Sequence, residues 1–529
     1  MKAPLPAPQP DEEKHEMPYF NLGHLDIPRS AVEGKDPERV LQVICTALAE
    51  ATRSSLADIT LPEEIGFVVN RFERCSTPFI KQWDEDQLPP PIGPYLHFSH
   101  ETAKAICLML SADGPLQVNS AVAAGRETPI AAERLWQDCH VWLIASEAWA
   151  ALSFAKTKLD RDLKSDRMVL QFNEDKLAHA KFLLDIVNLN PAVPDDHVPD
   201  MSRFHKLVDT PESREEVQTI LKAIYGIELW PLRVLFKIVR AQQKGKLAGE
   251  VGLYELGYLA DLIQGAHGKS GADPADCRRF VDNAMEEWTA ASKAYRDSCF
   301  DPKSPWLKVT PRAFAMLPVI DRGTPMAMMC ASATDMTVYE IGHDAMRGGL
   351  EVPADVAEIR RRLQARGSTH LAWYQLQFAG IEKPDNSNKV FGDRYACYVA
   401  EGKQLGGVGV PPKYDDLDLV VFDRVRKQVT VCECKYASAA VRTPEFRDEF
   451  DFFDKSGVTW KKQLQPRINW VREYLHQMKI DGWEDTLAGW SVEGCILTNI
   501  APRALLAAYG DLPGTRAVGS AAVFDFLFG

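Results

Sequence analysis

Tyr414-Asp-Asp-Leu-Asp-Leu-Val-Val-Phe422 and Gln428-Val-Thr-Val-Cys-Glu-Cys-Lys-Tyr436, separated by Asp423-Arg-Val-Arg-Lys427, decide how the C-terminal part of this chain folds. Both runs are rich in strand formers, and the charged break between them reads as a solvated hairpin connection. Side chains alternate along a strand, so Val429, Val431, Glu433 and Lys435 share one face while Thr430, Cys432 and Cys434 take the other. Asp418 sits among Leu417, Leu419, Val420 and Val421, and pairing of the two strands brings it near Glu433.

Two carboxylates and an ammonium gathered at the edge of an apolar sheet are costly unless something compensates their charge. A divalent cation does so. Asp418 and Glu433 offer carboxylate oxygens and Cys434 its carbonyl, hard donors that suit Mg2+ or Mn2+, with water or phosphate completing the shell. Such an ion lowers the pKa of a bound water and neutralises charge on a scissile phosphate, while Lys435 positions or stabilises the attacking hydroxide. The implied chemistry is phosphodiester hydrolysis. The bland reading of the same acids is an edge-strand pair making ordinary salt bridges, since Glu-x-Lys triplets arise by chance in a long chain. An aspartate inside an apolar strand, together with the alternation through Glu433 and Lys435, outweighs it.

Asp418 followed by Glu433-Cys-Lys435 on the next strand resembles the PD-(D/E)xK nucleases, the restriction-endonuclease-like superfamily, over residues 386–529. The resemblance implies a helix ahead of the first catalytic strand, then a helix and a further strand behind the second. Val390 to Gly402 is assigned to the leading helix and Trp460 to Leu475 to the following one, where Ile468, Val471 and Leu475 have helical spacing. Val492–Thr498 and Ala517–Phe524 are the later strands.

The same resemblance implies catalytic roles for Asp418, Glu433 and Lys435, ligation of Mg2+ or Mn2+ by Asp418, Glu433 and Cys434, and an accessory role for Gln463 beside Lys461 and Lys462. Relatives carry a glutamate after an aromatic residue on the leading helix. Here Ala396 follows Tyr395, which leaves Asp393 and Glu401 as the nearest acids. The implied partner is nucleic acid, DNA rather than RNA, and the attachment of such a module to a larger region resembles bacterial defence or restriction nucleases. The alternative, from another class, is a noncatalytic nucleic-acid-binding or scaffold protein with a degenerate nuclease fold.

A net charge of -13 argues against nonspecific adhesion of the whole surface to nucleic acid. Residues 386–529 hold 18 Lys and Arg against 19 Asp and Glu, so residues 1–385 carry -12 of that charge. Arg442, Arg447, Lys461, Lys462, Arg467 and Arg472 are available to line a phosphate-facing surface, or form an ordinary mixed one. The 11 cysteines show no disulfide or zinc spacing, and Cys432-x-Cys434 reads as core packing with reduced thiols. No apolar run approaches the ~20 residues of a membrane span, and Met1-Lys-Ala-Pro-Leu-Pro-Ala-Pro lacks the apolar segment of a signal peptide. A soluble, cytoplasmic protein without membrane contact is expected, with homo-oligomerisation left open.

The expected fold class is α+β, a large mainly helical N-terminal region joined to a C-terminal α/β module with a central mixed sheet. Residues 1–20 are Pro-rich and acidic and read as a disordered tail. Helical patterns dominate residues 21–304: Pro37 to Thr52, Ile130 toward Lys158, Glu174 to Val187, Ser213 to Gln243 and Ala275 to Tyr295. Trp136, Trp142 and Trp149 have core spacing. Residues 305–385 form a small α+β segment expected to dock the nuclease module. It contains two strands around Asp321-Arg-Gly323, a helix over Ala331 to Met346, helical stretches at Val352 to Arg366 and Thr369 to Phe378, and a polar linker from Gly380 to Asn388.

Overall fold

The computed structural model describes residues 20–21, 37–84, 94–118, 129–155, 158–162, 167–171, 210–243, 251–268, 271–300, 313–346, 350–364, 366, 389–391, 394–399, 404–414, 417–435, 460–498 and 517–519. It is an α+β protein. The stretches expected at 1–19, Glu174–Val187, Thr369–Phe378 and the linker 380–388 lie outside these residues.

The N-terminal part is built on helices α1 (Pro37–Ala57), α2 (Pro62–Asp84), α3 (Pro94–Leu110) and α4 (Ile130–Ala155). A second group follows: α5 (Pro211–Tyr225), α6 (Trp230–Gln243), α7 (Leu256–His267), α8 (Pro274–Cys299) and α9 (Ala331–Met346). Where one helical stretch was expected from Ser213 to Gln243, Gly226 breaks it. Gly226 adopts φ 78°, a left-handed conformation open to glycine, and its N–H closes α5 on the Lys222 carbonyl at 2.9 Å. Trp136, Trp142 and Trp149 of α4 are buried, as their spacing predicts.

Short strands stitch these helices together. β2 (Leu116–Val118), β5 (Gly252–Glu255), β6 (Met316–Asp321) and β7 (Thr324–Met329) form a sheet in the order β2-β6-β7-β5. The β6–β7 turn places Arg322 at φ 50° and Gly323 at φ 86°, the two positive φ values that a tight two-residue hairpin requires. Alternation along this hairpin serves two cores. Leu317, Val319 and Met328 join a cluster with α1–α4, whereas Met316, Ala327 and Met329 join one built on α5–α9. The segment expected to dock the nuclease module is thus, in its described part, a central element of the N-terminal packing. The remaining N-terminal strands, β1 (Phe20–Asn21), β3 (Lys158–Asp162) and β4 (Arg167–Gln171), pair in the order β1-β4-β3.

A third core belongs to residues 396–496. Here β8 (Lys389–Phe391), β9 (Tyr395–Val399), β12 (Leu419–Asp423), β13 (Gln428–Lys435), β14 (Ser491–Thr498) and β15 (Ala517–Gly519) form a mixed sheet in the order β15-β14-β13-β12-β9-β8. The small β10 (Gln404–Leu405) and β11 (Val408–Gly409) make a separate hairpin. β9, β12 and β13 are antiparallel neighbours, whereas β13–β14 and β14–β15 run parallel. A turn of π-helix at Trp460–Leu464 leads into α10 (Gln465–Tyr474); Leu464 of the turn with Ile468 and Val471 of the helix pack on the sheet face formed by Ala396, Val420, Phe422, Val429 and Val431.

The leading helix expected from Val390 to Gly402 is replaced by β8 and β9. Its Tyr395-Ala-Cys-Tyr-Val399 run is aromatic and β-rich, and β12 offers it a complete partner, from Tyr395 opposite Asp423 to Val399 opposite Leu419. Tertiary pairing overrides a weak helical pattern there.

The β12–β13 turn is organised by Asp423, which is buried and accepts from the N–H groups of Val425 at 2.9 Å and Arg426 at 3.0 Å. Arg394 lies 3.1 Å from its Oδ2, and Arg426 reaches back to it as well. Asp423→Ala leaves these donors unmet and is expected to cost about 2–3 kcal/mol, while Asp423→Asn, which keeps one acceptor oxygen, loses less. Urea unfolding of the three proteins checks the order.

Candidate active site

The β12–β13 register runs Leu419 opposite Cys432, Val420 opposite Val431 and so on to Asp423 opposite Gln428. Continued by one residue, it sets Asp418 opposite Glu433. Directly opposed residues project to the same face with Cβ atoms about 4.5–5.5 Å apart, so the two carboxylates converge as the sequence predicts. Asp418 Oδ2 accepts from the Cys434 N–H at 2.7 Å. A strand residue directs its N–H and C=O toward the same neighbour, so the Cys434 carbonyl also turns to the Asp418 side.

Glu433 is 2% exposed, and both of its oxygens meet cations. Lys435 Nζ lies 2.6 Å from Oε1, which fulfils the expectation that the two side chains point together. Arg467 Nη1 donates to Oε2 from α10. The arginine is 5% exposed, so the contact is a desolvated, charge-assisted pair.

Sequence reading placed Arg467 among residues available to a phosphate-facing surface; the structure buries it instead. Its signal was present, because Leu464, Arg467, Ile468, Val471 and Leu475 fall on one helical stripe and a charge inside an apolar stripe needs a buried partner. Arg472, from the same list, turns to the Val492 carbonyl at 3.1 Å. Gln463 and Lys462 are exposed on the π-turn, with Gln463 four residues ahead of Arg467. Arg442, Arg447, Asp393, Glu401 and the Lys461 side chain lie outside the described residues.

Burial pushes the Asp418 carboxyl up to about 7, and the Glu433 charge opposite adds to the rise. The Cys434 N–H and the cations of Lys435 and Arg467 pull it partly back. On the opposite sheet face Cys397, Cys432, Cys434 and Cys495 are buried, and desolvation raises the Cys432 and Cys434 thiols well above the usual range. All 11 cysteines are free, and these act as small packed side chains.

As a cation site the donors agree in kind with Mg2+ or Mn2+: two opposed carboxylates, whose mutual repulsion an ion would relieve, beside a main-chain carbonyl on the same side. Among the described residues no group of three or more His, Cys, Asp or Glu side chains gathers as a metal-binding set, so an ion held by Asp418 and Glu433 would need water or phosphate oxygens to complete its shell. No helix among the described residues is long and apolar enough to cross a membrane. Compared with family models, curated proteins and solved structures, the chain matches none.

Two outcomes follow. Arg467→Met strips a buried carboxylate of a cation and is expected to cost about 3–5 kcal/mol, whereas Gln463→Ala, at an exposed position, should stay within about 0.5 kcal/mol; chemical denaturation measures both. Without a divalent cation, the raised Asp418 pKa gives stability that is complete below the unfolded value of about 3.9 and is lost as pH rises through about 7. Asp418→Asn, neutral throughout, should therefore raise Tm over the parent at pH 8 in the presence of chelator, by an increment that shrinks toward pH 4. An increment independent of pH would contradict the assignment.

Proposed function

We propose that the C-terminal module is a metal-dependent nuclease that hydrolyses phosphodiester bonds, with DNA as the substrate. The observation that carries this reading is the opposition of Asp418 and Glu433 across β12–β13, with Lys435 Nζ 2.6 Å from Glu433. The helix and parallel strand behind β13, α10 and β14, stand where the resemblance to PD-(D/E)xK nucleases calls for them. Strands in place of the leading helix are a departure from that resemblance.

Asp418 and Glu433 would hold the ion, with the Cys434 carbonyl beside them. A bound divalent cation supplies an acidified water and charge neutralisation at the phosphate. Lys435, 27% exposed in its side chain, is placed to leave Glu433 for an attacking hydroxide or for a phosphate oxygen as negative charge develops there. Arg467 stays on Glu433 and keeps its carboxylate oriented when Lys435 turns away. Exposed Gln463 and Lys462 flank the same end of the sheet and would meet the nucleic-acid backbone.

A second reading has its own observation. Lys435 and Arg467 together already balance Asp418 and Glu433, as a degenerate nuclease fold that only binds nucleic acid or serves as a scaffold would allow. Cleavage of plasmid and single-stranded DNA with Mg2+, Mn2+ or chelator separates the two. For a nuclease, product forms only with the ion, and Asp418→Ala and Glu433→Ala abolish it. Lys435→Met lowers the single-turnover rate by about 10²–10³-fold with a much smaller change in duplex affinity. Equal losses of rate and affinity, or ion-independent binding without product, favour the scaffold.

A further inference from the structure

Just ahead of β12, Pro411-Pro412-Lys413-Tyr414 carries a cation and an aromatic ring toward the end of the sheet that holds Asp418 and Glu433. Proline fixes φ at Pro412, and the Tyr414 N–H donates to the Pro411 carbonyl at 2.8 Å, so the short 3-10 turn Pro412–Tyr414 sets where the ring leaves the chain. Tyr414 precedes Asp418 by four residues, which keeps their Cα atoms within ~14 Å of one another. A second route leads to the same neighbourhood. The ring packs against Trp470, centroids 6.4 Å apart, and Trp470 lies one turn along α10 from Arg467, the arginine that holds Glu433.

Tyr414 is half-buried. Trp470, 6% exposed, packs in turn on Tyr474 with centroids 5.8 Å apart, so a row of rings anchored in the core supports it. Exposed Lys413 stands over the Tyr414 ring, its Nζ 4.7 Å from the centroid. An aromatic face holds an exposed ammonium weakly, and a nucleobase stacked on the same face gains more through its larger area of contact. The base therefore displaces the ammonium. Once released, Lys413 meets a phosphate beside that base, and ring and cation together grip a single strand.

We infer that Tyr414 stacks an unpaired nucleobase of a single-stranded stretch of DNA while Lys413 takes a backbone phosphate. The reach to Asp418 corresponds to about four nucleotides at the ~3.4 Å rise of one strand. A closed duplex keeps its bases stacked inside and offers the ring none without unstacking, so the module favours single strands, overhangs and melted ends. This inference rests on the nuclease reading for what lies at the ion site and names the strandedness of its substrate.

Fluorescence anisotropy of the full chain in chelator tests it without cleavage, using a labelled oligodeoxynucleotide as a single strand, as its duplex and as an abasic copy of the strand. The single strand is expected to bind about tenfold more tightly than the duplex or the abasic strand. Tyr414→Ala should lose about tenfold on the single strand and little on the abasic one, and Tyr414→Phe should keep the parent affinity. Lys413→Met should reduce the salt slope of log K on both strands by about 0.7. Circular dichroism verifies the fold; if Tyr414→Ala does not fold, the abasic strand and Lys413→Met decide. Duplex or abasic strand bound as tightly as the single strand, unchanged affinity in Tyr414→Ala, or Tyr414→Phe as weak as Tyr414→Ala would each overturn the proposal. So would an unchanged salt slope in Lys413→Met or tighter binding of an RNA strand of the same sequence. Because binding is read in chelator, failure to form product with Mg2+ would overturn the nuclease reading alone.

Discussion

Burying a carboxylate within a sheet is costly unless cations come to it, and the C-terminal module is arranged to bring two to Glu433. Lys435 comes from the same strand two residues on, as alternation dictates. Arg467 comes from α10, so the helix must dock with that side chain against the end of β13. Polar demand and apolar packing agree, because Leu464, Ile468 and Val471 lie on the stripe that carries Arg467 inward. A one-residue slip of β12 against β13 would move Asp418 to the other face and bury Val429, Val431 and Phe422 wrongly, so the register that protects the core also builds the site.

The N-terminal part answers a different constraint. Its β6–β7 hairpin is apolar on both faces and must be covered on both, so α1–α4 with Trp288, Tyr295 and Cys299 of α8 gather on one side, and a core built on α5–α9 covers the other. Asp335, fully buried at the start of α9, is met by Arg233 at 2.8 Å and Arg240 at 2.9 Å from α6, which ties that helix to the layer below it. Glu73 of α2 accepts twice from the Ser332 N–H at the start of α9.

Much of this was legible in the residues. The two strands around Asp423, the helix behind them, the β6–β7 hairpin and the long α4 and α8 all declare themselves through local period and turn chemistry. Asp418, Glu433 and Lys435 were legible as a cluster, because alternation and a short hairpin leave few ways to pair two strands. Val390 to Gly402 misled because its apolar residues suit either period, and only the open edge of β12 chose the strand. Arg467 was visible as a charge within an apolar stripe, but its partner lies 34 residues earlier in the chain.

The sequence by itself determined what depends on neighbours along the chain: helices and strands where one period dominates, where Gly226 and Gly323 permit turns, and which side chains share a face. Tertiary structure alone decided which faces meet. It placed β9 beside β12, drew Arg467 under Glu433, and set Arg233 and Arg240 against Asp335. The physical reason is that burial and charge pairing act between groups whose separation in sequence carries no information about their distance in space, so those contacts become readable only once the cores have formed.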